Sequence, residues 1–166
     1  MNESERRRLG EGVEGLVVHP GEIALVDDGS RLVSVVSVGV LVCLWHYQGS
    51  HAVMAHFIEP LTYDPRKATP RFGNVSVPKA VAMMRELVGP LAVLEAQIFG
   101  GALREPGDLR GEANLSVARR ILEARQVNVV SEDVGGQKGR KVIFDAGTGH
   151  AAVIKVHDLR KGDWDP

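Results

Sequence analysis

One cysteine and three regularly spaced histidines are the side chains of this sequence best suited to chemistry. Cys43 is the single cysteine among 166 residues, and His46, His51 and His56 recur every five residues. A cysteine thiolate beside a histidine base can attack a carboxamide carbon. Histidine also binds metals. Residues five apart on a strand lie on alternate faces, however, and no suitably spaced carboxylate accompanies these histidines, so the pattern does not support a metal site. We therefore predict no metal and no cofactor.

The elements that must position these side chains are mostly strands. Residues 32–45 are rich in valine, which is typical of buried strands, and predict one bent strand or two strands that break near Gly39. A further strand is predicted at residues 52–58, before Pro60. Residues 141–144 and 151–156 predict a hairpin, because the glycine-rich segment between them suits a turn.

Two helices are predicted in the second half of the chain. The first begins at Ser76, a suitable N-cap, and ends near Gly89, with apolar residues at three- and four-residue spacing between them. The second begins near Asn114. Because strands outnumber helices and separate them, we predict an α+β fold with a layered sheet. We expect one domain at residues 13–157, between a flexible polar tail at 1–12 and a polar tail at 158–166.

Composition and charge exclude several classes of function. The formal net charge is -1 and aromatic residues make up 5% of the chain, so we expect no binding to nucleic acid, which requires a basic face or stacking platforms. The longest apolar run, residues 32–45, is shorter than the roughly 20 residues that span a bilayer, so we expect no membrane insertion. A single cysteine permits no internal disulfide and is compatible with the cytoplasm, where we expect the protein.

Several short blocks, in a fixed order, resemble the CheD family of chemoreceptor glutamine deamidases over roughly residues 13–157. The order of the blocks carries the resemblance, because each block alone is short. They are His19-Pro20-Gly21-Glu22, Val42-Cys43-Leu44-Trp45, Met54-Ala55-His56-Phe57 with Pro60, Ile98-Phe99-Gly100-Gly101-Ala102, Gly111 with Asn114, Glu132-Asp133-Val134-Gly135-Gly136, Gly139-Arg140-Lys141-Val142, and Thr148-Gly149.

The resemblance implies a fold, an activity and partners. The family folds as a compact sandwich with flanking helices, and it converts chosen glutamines of methyl-accepting chemotaxis receptors to glutamate. It also pairs with CheC, a phosphatase. Receptors are therefore the expected partner of this chain, and a CheC-like protein is a second one.

The resemblance also implies site residues, and here the sequence departs from the family. His56 matches the family's catalytic histidine, while the nucleophilic cysteine, seventeen residues earlier, falls on Gly39. The family's third catalytic group, a threonine six residues before its cysteine, falls on Val33. Gly39 cannot attack a carbonyl, and Val33 has no hydroxyl to orient an imidazole. His56 is then either an inherited base without its nucleophile or a histidine kept for packing and hydrogen bonding.

Two residues near Gly39 are candidate substitute nucleophiles. Cys43 lies four residues beyond Gly39, about 13 Å along an extended strand at ~3.3 Å per residue, and is better explained as a buried apolar thiol. Ser37 lies only two residues away, about 6.6 Å, but needs a well-placed base. Two functions follow: a binding module with impaired catalysis, which we favour, and an active deamidase that uses a substitute nucleophile.

Overall fold

The computed structural model describes residues 15–157 and 161–164, which form two β-sheets and a layer of α-helices. The predicted α+β class, with layered sheets flanked by helices, is confirmed. The predicted tail at residues 1–12 lies outside the described residues. The helices are α1 (Gly73–Val88) and α2 (Arg110–Ala124), with short 3-10 helices at Pro65–Lys67 and Lys161–Trp164. The strands are β1 (Leu16–Val17), β2 (Ile23–Val26), β3 (Arg31–Val36), β4 (Val40–His46), β5 (His51–Phe57), β6 (Glu95–Gly100), β7 (Asn128–Val134), β8 (Gly139–Asp145) and β9 (His150–Val156).

Each of the two sheets is assembled from strands that are distant in sequence. One sheet has four strands in the order β1-β3-β8-β9, and the other has five in the order β2-β5-β4-β6-β7. The β4–β5 hairpin pairs Leu41 with His56 and His46 with His51. The pairs β1–β3 and β6–β7 are parallel, and the other pairs are antiparallel. The predicted hairpin near the C-terminus corresponds to β8 and β9.

Two apolar layers hold the fold together. One lies between the sheets and includes Leu41, Met54 and Phe144. The other lies between the five-stranded sheet and the helices and includes Phe57 and Leu122. Strands β4 and β5 are covered on both faces, and successive side chains of a strand point to opposite faces. That arrangement explains why the sequence of β4 is almost continuously apolar.

The chain changes sheet at a bend formed by residues 37–39, between β3 and β4. Of the two interpretations of residues 32–45, the one with two strands is confirmed, with Gly39 at the break. Within the described residues, no helix is long and apolar enough to cross a bilayer.

The helix starts differ from the sequence predictions. Helix α1 begins at Gly73 rather than Ser76, because carbonyls outside the helix satisfy its first N–H groups. The Gly73 N–H donates to the Glu59 carbonyl (2.8 Å), and the Asn74 N–H donates to the Pro60 carbonyl (3.2 Å). A helix whose first N–H groups are bonded in this way needs no side-chain cap. Helix α2 begins at Arg110, four residues before Asn114, and the Arg110 N–H donates to the Asp108 carboxylate (3.0 Å).

Candidate functional site

The bend at residues 37–39 is fixed by backbone hydrogen bonds from the end of β6. The Gly101 N–H donates to the Gly39 carbonyl (2.8 Å), and the Ala102 N–H donates to the Ser37 carbonyl (2.9 Å). Gly100 has a φ of 106° and packs so closely on the Gly39 carbonyl that a Cβ at Gly100 would collide with it. Gly100 is therefore required by this close approach of two backbones, and at Gly101, whose φ is 65°, a Cβ would collide with the Leu115 side chain.

A buried asparagine completes the support of the bend. The Asn114 side-chain amide donates to the Val38 carbonyl (3.1 Å) and to the Ile58 carbonyl (3.2 Å). Asn114 thus connects the bend to the segment that follows β5, the strand that carries His56. The sequence placed Asn114 only near a helix start, and the structure makes it a positioning residue of the site.

His56 lies in the layer between the two sheets. It projects from β5 and is only 2% exposed. Burial lowers its pKa from 6.5 to about 4; the backbone carbonyl of Val18 acts in the opposite direction, and the charge of His19 lowers the pKa further. The imidazole is therefore neutral at neutral pH, as a general base must be.

The Ser34 hydroxyl fixes the orientation of this imidazole. Its Oγ lies 3.0 Å from Nδ1 of His56 and donates its hydrogen to the Val18 carbonyl. A hydroxyl has one hydrogen to donate, so Nδ1 must carry the hydrogen that it shares with Oγ. This network assigns the unprotonated lone pair to Nε2, on the opposite side of the ring.

That lone pair faces position 39. A Cβ built on Gly39 would lie 3.5 Å from Nε2 of His56. The same Cβ would lie 2.7 Å from the Phe57 carbonyl oxygen and 3.1 Å from Ile58 Cγ2, so a side chain at this position requires a shift of its neighbours. The structure therefore brings Gly39 and His56 together, with a basic nitrogen beside the position that lacks a side chain.

The orienting hydroxyl comes from a residue that sequence reasoning missed. Leu32, Ser34 and Val36 share the face of β3 that packs on the other sheet, and Val33 points to the opposite face. Val33 therefore does not orient the imidazole, and its neighbour Ser34 does. The signal available in the sequence was a serine within an apolar, valine-rich strand, because such a strand is expected to be buried and a buried hydroxyl needs a partner.

A surface pocket of about 260 Å³ opens over the bend and His56. One of its walls comes from the C-terminal segment, where the sequence predicted a polar tail: Trp164 stacks on His19, with ring centroids 5.2 Å apart and an angle of 19° between the planes. The lining is apolar on several sides and polar at the rim. It consists of Pro20, Val35, Ser37, Val38, Gly39, His56, Ile58, Glu59, Arg71, Arg110 and Trp164.

Charged side chains form the rim of the pocket. The Glu59 carboxylate lies 3.8 Å from Arg110 and 4.0 Å from Arg71, and Arg110 also pairs with Asp108 at 2.9 Å. Exposed ion pairs of this kind contribute little stability. They do offer both hydrogen-bond donors and an acceptor to a bound polar group.

The remaining predicted site residues lie in different places. Ser37 lines the same pocket as His56. Cys43 is fully buried on β4 opposite Met54, and burial raises the pKa of its thiol, so it is an unreactive core residue. His46 and His51 face each other at the far end of the hairpin from His56, so the three histidines do not form one cluster.

Comparison with known proteins gives consistent matches. The family model described as CheD chemotactic sensory transduction matches residues 60–155. The probable chemoreceptor glutamine deamidase CheD 1 of Anaeromyxobacter dehalogenans is 35% identical over 152 residues, which covers 89% of this chain and 88% of that protein. Corresponding proteins of Sulfurimonas denitrificans and Trichlorobacter lovleyi are 28% and 29% identical, each over 144 residues and 84% of this chain, and the matches cover 92% and 89% of those proteins.

Proposed function

This chain belongs to the CheD family, and on that premise we propose that it is a chemotaxis protein that binds receptors at the pocket over His56 and has little of the family's deamidase activity. The observation that carries the proposal is the pairing of an oriented, neutral histidine with a glycine at the position it faces. The base and its support are retained, and the atom that would form the covalent bond is absent.

The chemistry explains why the glycine matters. In deamidation through a covalent intermediate, a thiolate attacks the side-chain carbonyl carbon of glutamine, the C–N bond breaks, and ammonia leaves with a proton supplied by the base. Water then cleaves the thioester and releases glutamate. Nε2 of His56 stands where it could exchange these protons, but Gly39 offers no atom for the attack. General acid–base catalysis without the covalent route retains only part of the rate enhancement.

The retained architecture supports binding. The bend that carries Gly39 is held by hydrogen bonds from Gly101, Ala102 and Asn114. The pocket keeps apolar walls and a polar rim, a combination that suits the binding of a side chain carried by a partner's surface. The relatives named above are described as probable chemoreceptor glutamine deamidases, so receptors are the first partner to test. A CheC-like protein is the second, and we place both interactions in the cytoplasm.

One observation favours a second function, that of an active deamidase with a substitute nucleophile. Ser37 lines the same pocket as His56, within the same bend as Gly39. A serine can replace a cysteine as nucleophile when a base takes its proton. In that reading the Ser37→Ala variant loses all activity.

A single experiment separates the two functions. The protein is incubated with the cytoplasmic fragment of a chemoreceptor, glutamine-to-glutamate conversion is followed by peptide mass spectrometry, and binding is followed by fluorescence anisotropy. A family member with the cysteine in place serves as the positive control. Saturable binding without conversion above buffer supports our proposal. Conversion that disappears in Ser37→Ala supports the second function, and absence of both binding and conversion contradicts both.

A further inference from the structure

A second and larger cleft, of about 640 Å³, lies away from the pocket over His56. It is formed by the loop after β6, the turn between β7 and β8, and the end of β9. None of its lining residues is shared with the pocket over His56. We call it the basic cleft, and it is lined by Arg104, Gly135, Gly136, Gln137, Lys138, Arg140, Lys155 and His157.

The charge of the basic cleft is unlike that of the whole chain. Lys138, Arg140 and Lys155 give the lining formal positive charge, and the Arg104 guanidinium donates to the Gln137 and His157 carbonyls, whereas the chain has a formal net charge of -1. The carboxylate of Asp133 contacts two of these cations, at 2.9 Å from Arg140 and 3.7 Å from Lys155. Among the ion pairs of the described residues, this carboxylate is shared by Arg140 and Lys155, so these two cations together with Lys138 leave a local excess of positive charge in this part of the cleft.

The cationic groups fall into two kinds. Arg140 is nearly buried and donates to Asp133, to the Lys138 carbonyl and to the Gly135 carbonyl, so it holds the turn in shape. Lys138 and Lys155 are exposed, and their ammonium groups can reach a ligand. The structure thus contains a hydrogen-bonded turn with exposed charges on its surface, an arrangement that suits recognition of anionic groups.

The backbone of the turn beside these cations is accessible from outside. Gly135 and Gly136 have φ values of 74° and 65°, and no other atom would lie within 4 Å of a Cβ built on either residue. Their backbone is therefore open to close approach from outside. The pocket over His56 does not involve these glycines.

We propose that the basic cleft docks an acidic segment of a protein partner. The cleft is too large to be filled by one small anion, and it offers separated cations to successive carboxylates. Nucleic acid is disfavoured, because among the described residues that line the cleft no side chain except that of His157 is aromatic, and the exposed lysines Lys138 and Lys155 do not form an extended basic stripe. The proposal is independent of deamidation, since the cleft and the pocket over His56 have no residue in common.

The test uses a fluorescein-labelled peptide of eight glutamates and the full-length protein in low-salt buffer. Anisotropy should show saturable binding that weakens as salt is added. The double variant Lys138→Glu/Lys155→Gln should bind about tenfold or more weakly, because charge reversal replaces attraction with repulsion. Lys79→Glu/Lys67→Gln, which makes the same charge changes at exposed residues outside the basic cleft, is the matched control and should bind as the parent does.

Several results would overturn the proposal. One is no saturable binding of the peptide, and another is an equal loss of affinity in the matched control. Tighter binding of an eight-nucleotide DNA strand would assign the cleft to nucleic acid. Full displacement of the peptide by millimolar phosphate would reduce it to a small-anion site. Thermal unfolding of the double variant within a few degrees of the parent shows that a loss of binding is not a loss of folding.

Discussion

Ser34 on β3 and His56 on β5 meet between the two sheets, with Oγ of the serine 3.0 Å from Nδ1 of the histidine. The contact joins the sheets and assigns a role to each ring nitrogen: Nδ1 donates inward, and Nε2 faces Gly39. A structural histidine and a catalytic base would both be buried, and the lone pair that faces an empty position is the reason why we propose His56 as an inherited base.

Removing the Ser34 hydroxyl should destabilise the fold. Ser34→Ala leaves Nδ1 of His56 and the Val18 carbonyl without this partner in a buried layer, so we expect a loss of about 1–3 kcal/mol in the free energy of unfolding. Urea unfolding followed by circular dichroism measures it. Ser116→Ala, on the exposed face of α2, is the control and should change stability by less than about 0.5 kcal/mol. Equal effects in the two variants would contradict the assigned network.

Stability should also depend on the protonation of His56. The pKa of the folded state, about 4, lies below the ordinary value of 6.5, so the unfolded chain binds more protons between these two pH values. The stabilisation is complete above pH 6.5 and is lost as the pH falls from 6.5 towards 4. In urea titrations at several pH values, His56→Gln should show a shallower fall over this window than the parent. The same slope in both proteins would mean that His56 titrates normally.

The sequence predicted what depends on local pattern and missed what depends on contacts between distant segments. The valine-rich run of residues 32–45, with its break at Gly39, was readable because side-chain period and turn chemistry are local. The contact of Ser34 with His56 was not, since it depends on which sheet each strand joins. Position-by-position resemblance pointed instead to Val33, one residue away and therefore on the other face of the strand.

Two further differences have the same origin. The start of α1 at Gly73 depends on the carbonyls of Glu59 and Pro60, which no helix-capping rule would include. Trp164 belongs to a segment that is polar by composition, yet its ring stacks on His19 at the pocket, about 145 residues away in sequence. Single apolar residues in polar tails are therefore worth testing for contacts with the folded domain.

Trp164 should report on receptor binding. In a Trp45→Phe variant, Trp164 is the one remaining tryptophan of the chain, and it lines the pocket over His56. Adding the receptor fragment should produce a saturable change in its emission, because the bound partner alters the solvent around the indole. Trp164→Phe, which keeps Trp45, should show no such change. A signal of equal size from Trp45 would place the binding elsewhere.

A side chain at position 39 should lower the stability of the fold. The Cβ of Gly39→Ala would lie 2.7 Å from the Phe57 carbonyl oxygen, so the backbone around it must move. We expect a loss of about 1–3 kcal/mol in the free energy of unfolding, as for other overpacked positions. Gly107→Ala is not a suitable control because its φ is positive, whereas Ser116→Ala leaves the backbone unstrained. No loss in Gly39→Ala would show that the site accepts a side chain freely.

The measurement that tests the central claim most directly is the rate of glutamine-to-glutamate conversion on a receptor fragment by Gly39→Cys. If only the nucleophile is missing, this variant should convert glutamine clearly faster than the parent. Adding His56→Ala to it should lower the rate by about 10²-fold or more, the usual contribution of a general base. If a folded Gly39→Cys protein that still binds the receptor shows no gain over the parent, the account of a retained base facing an empty nucleophile position is contradicted.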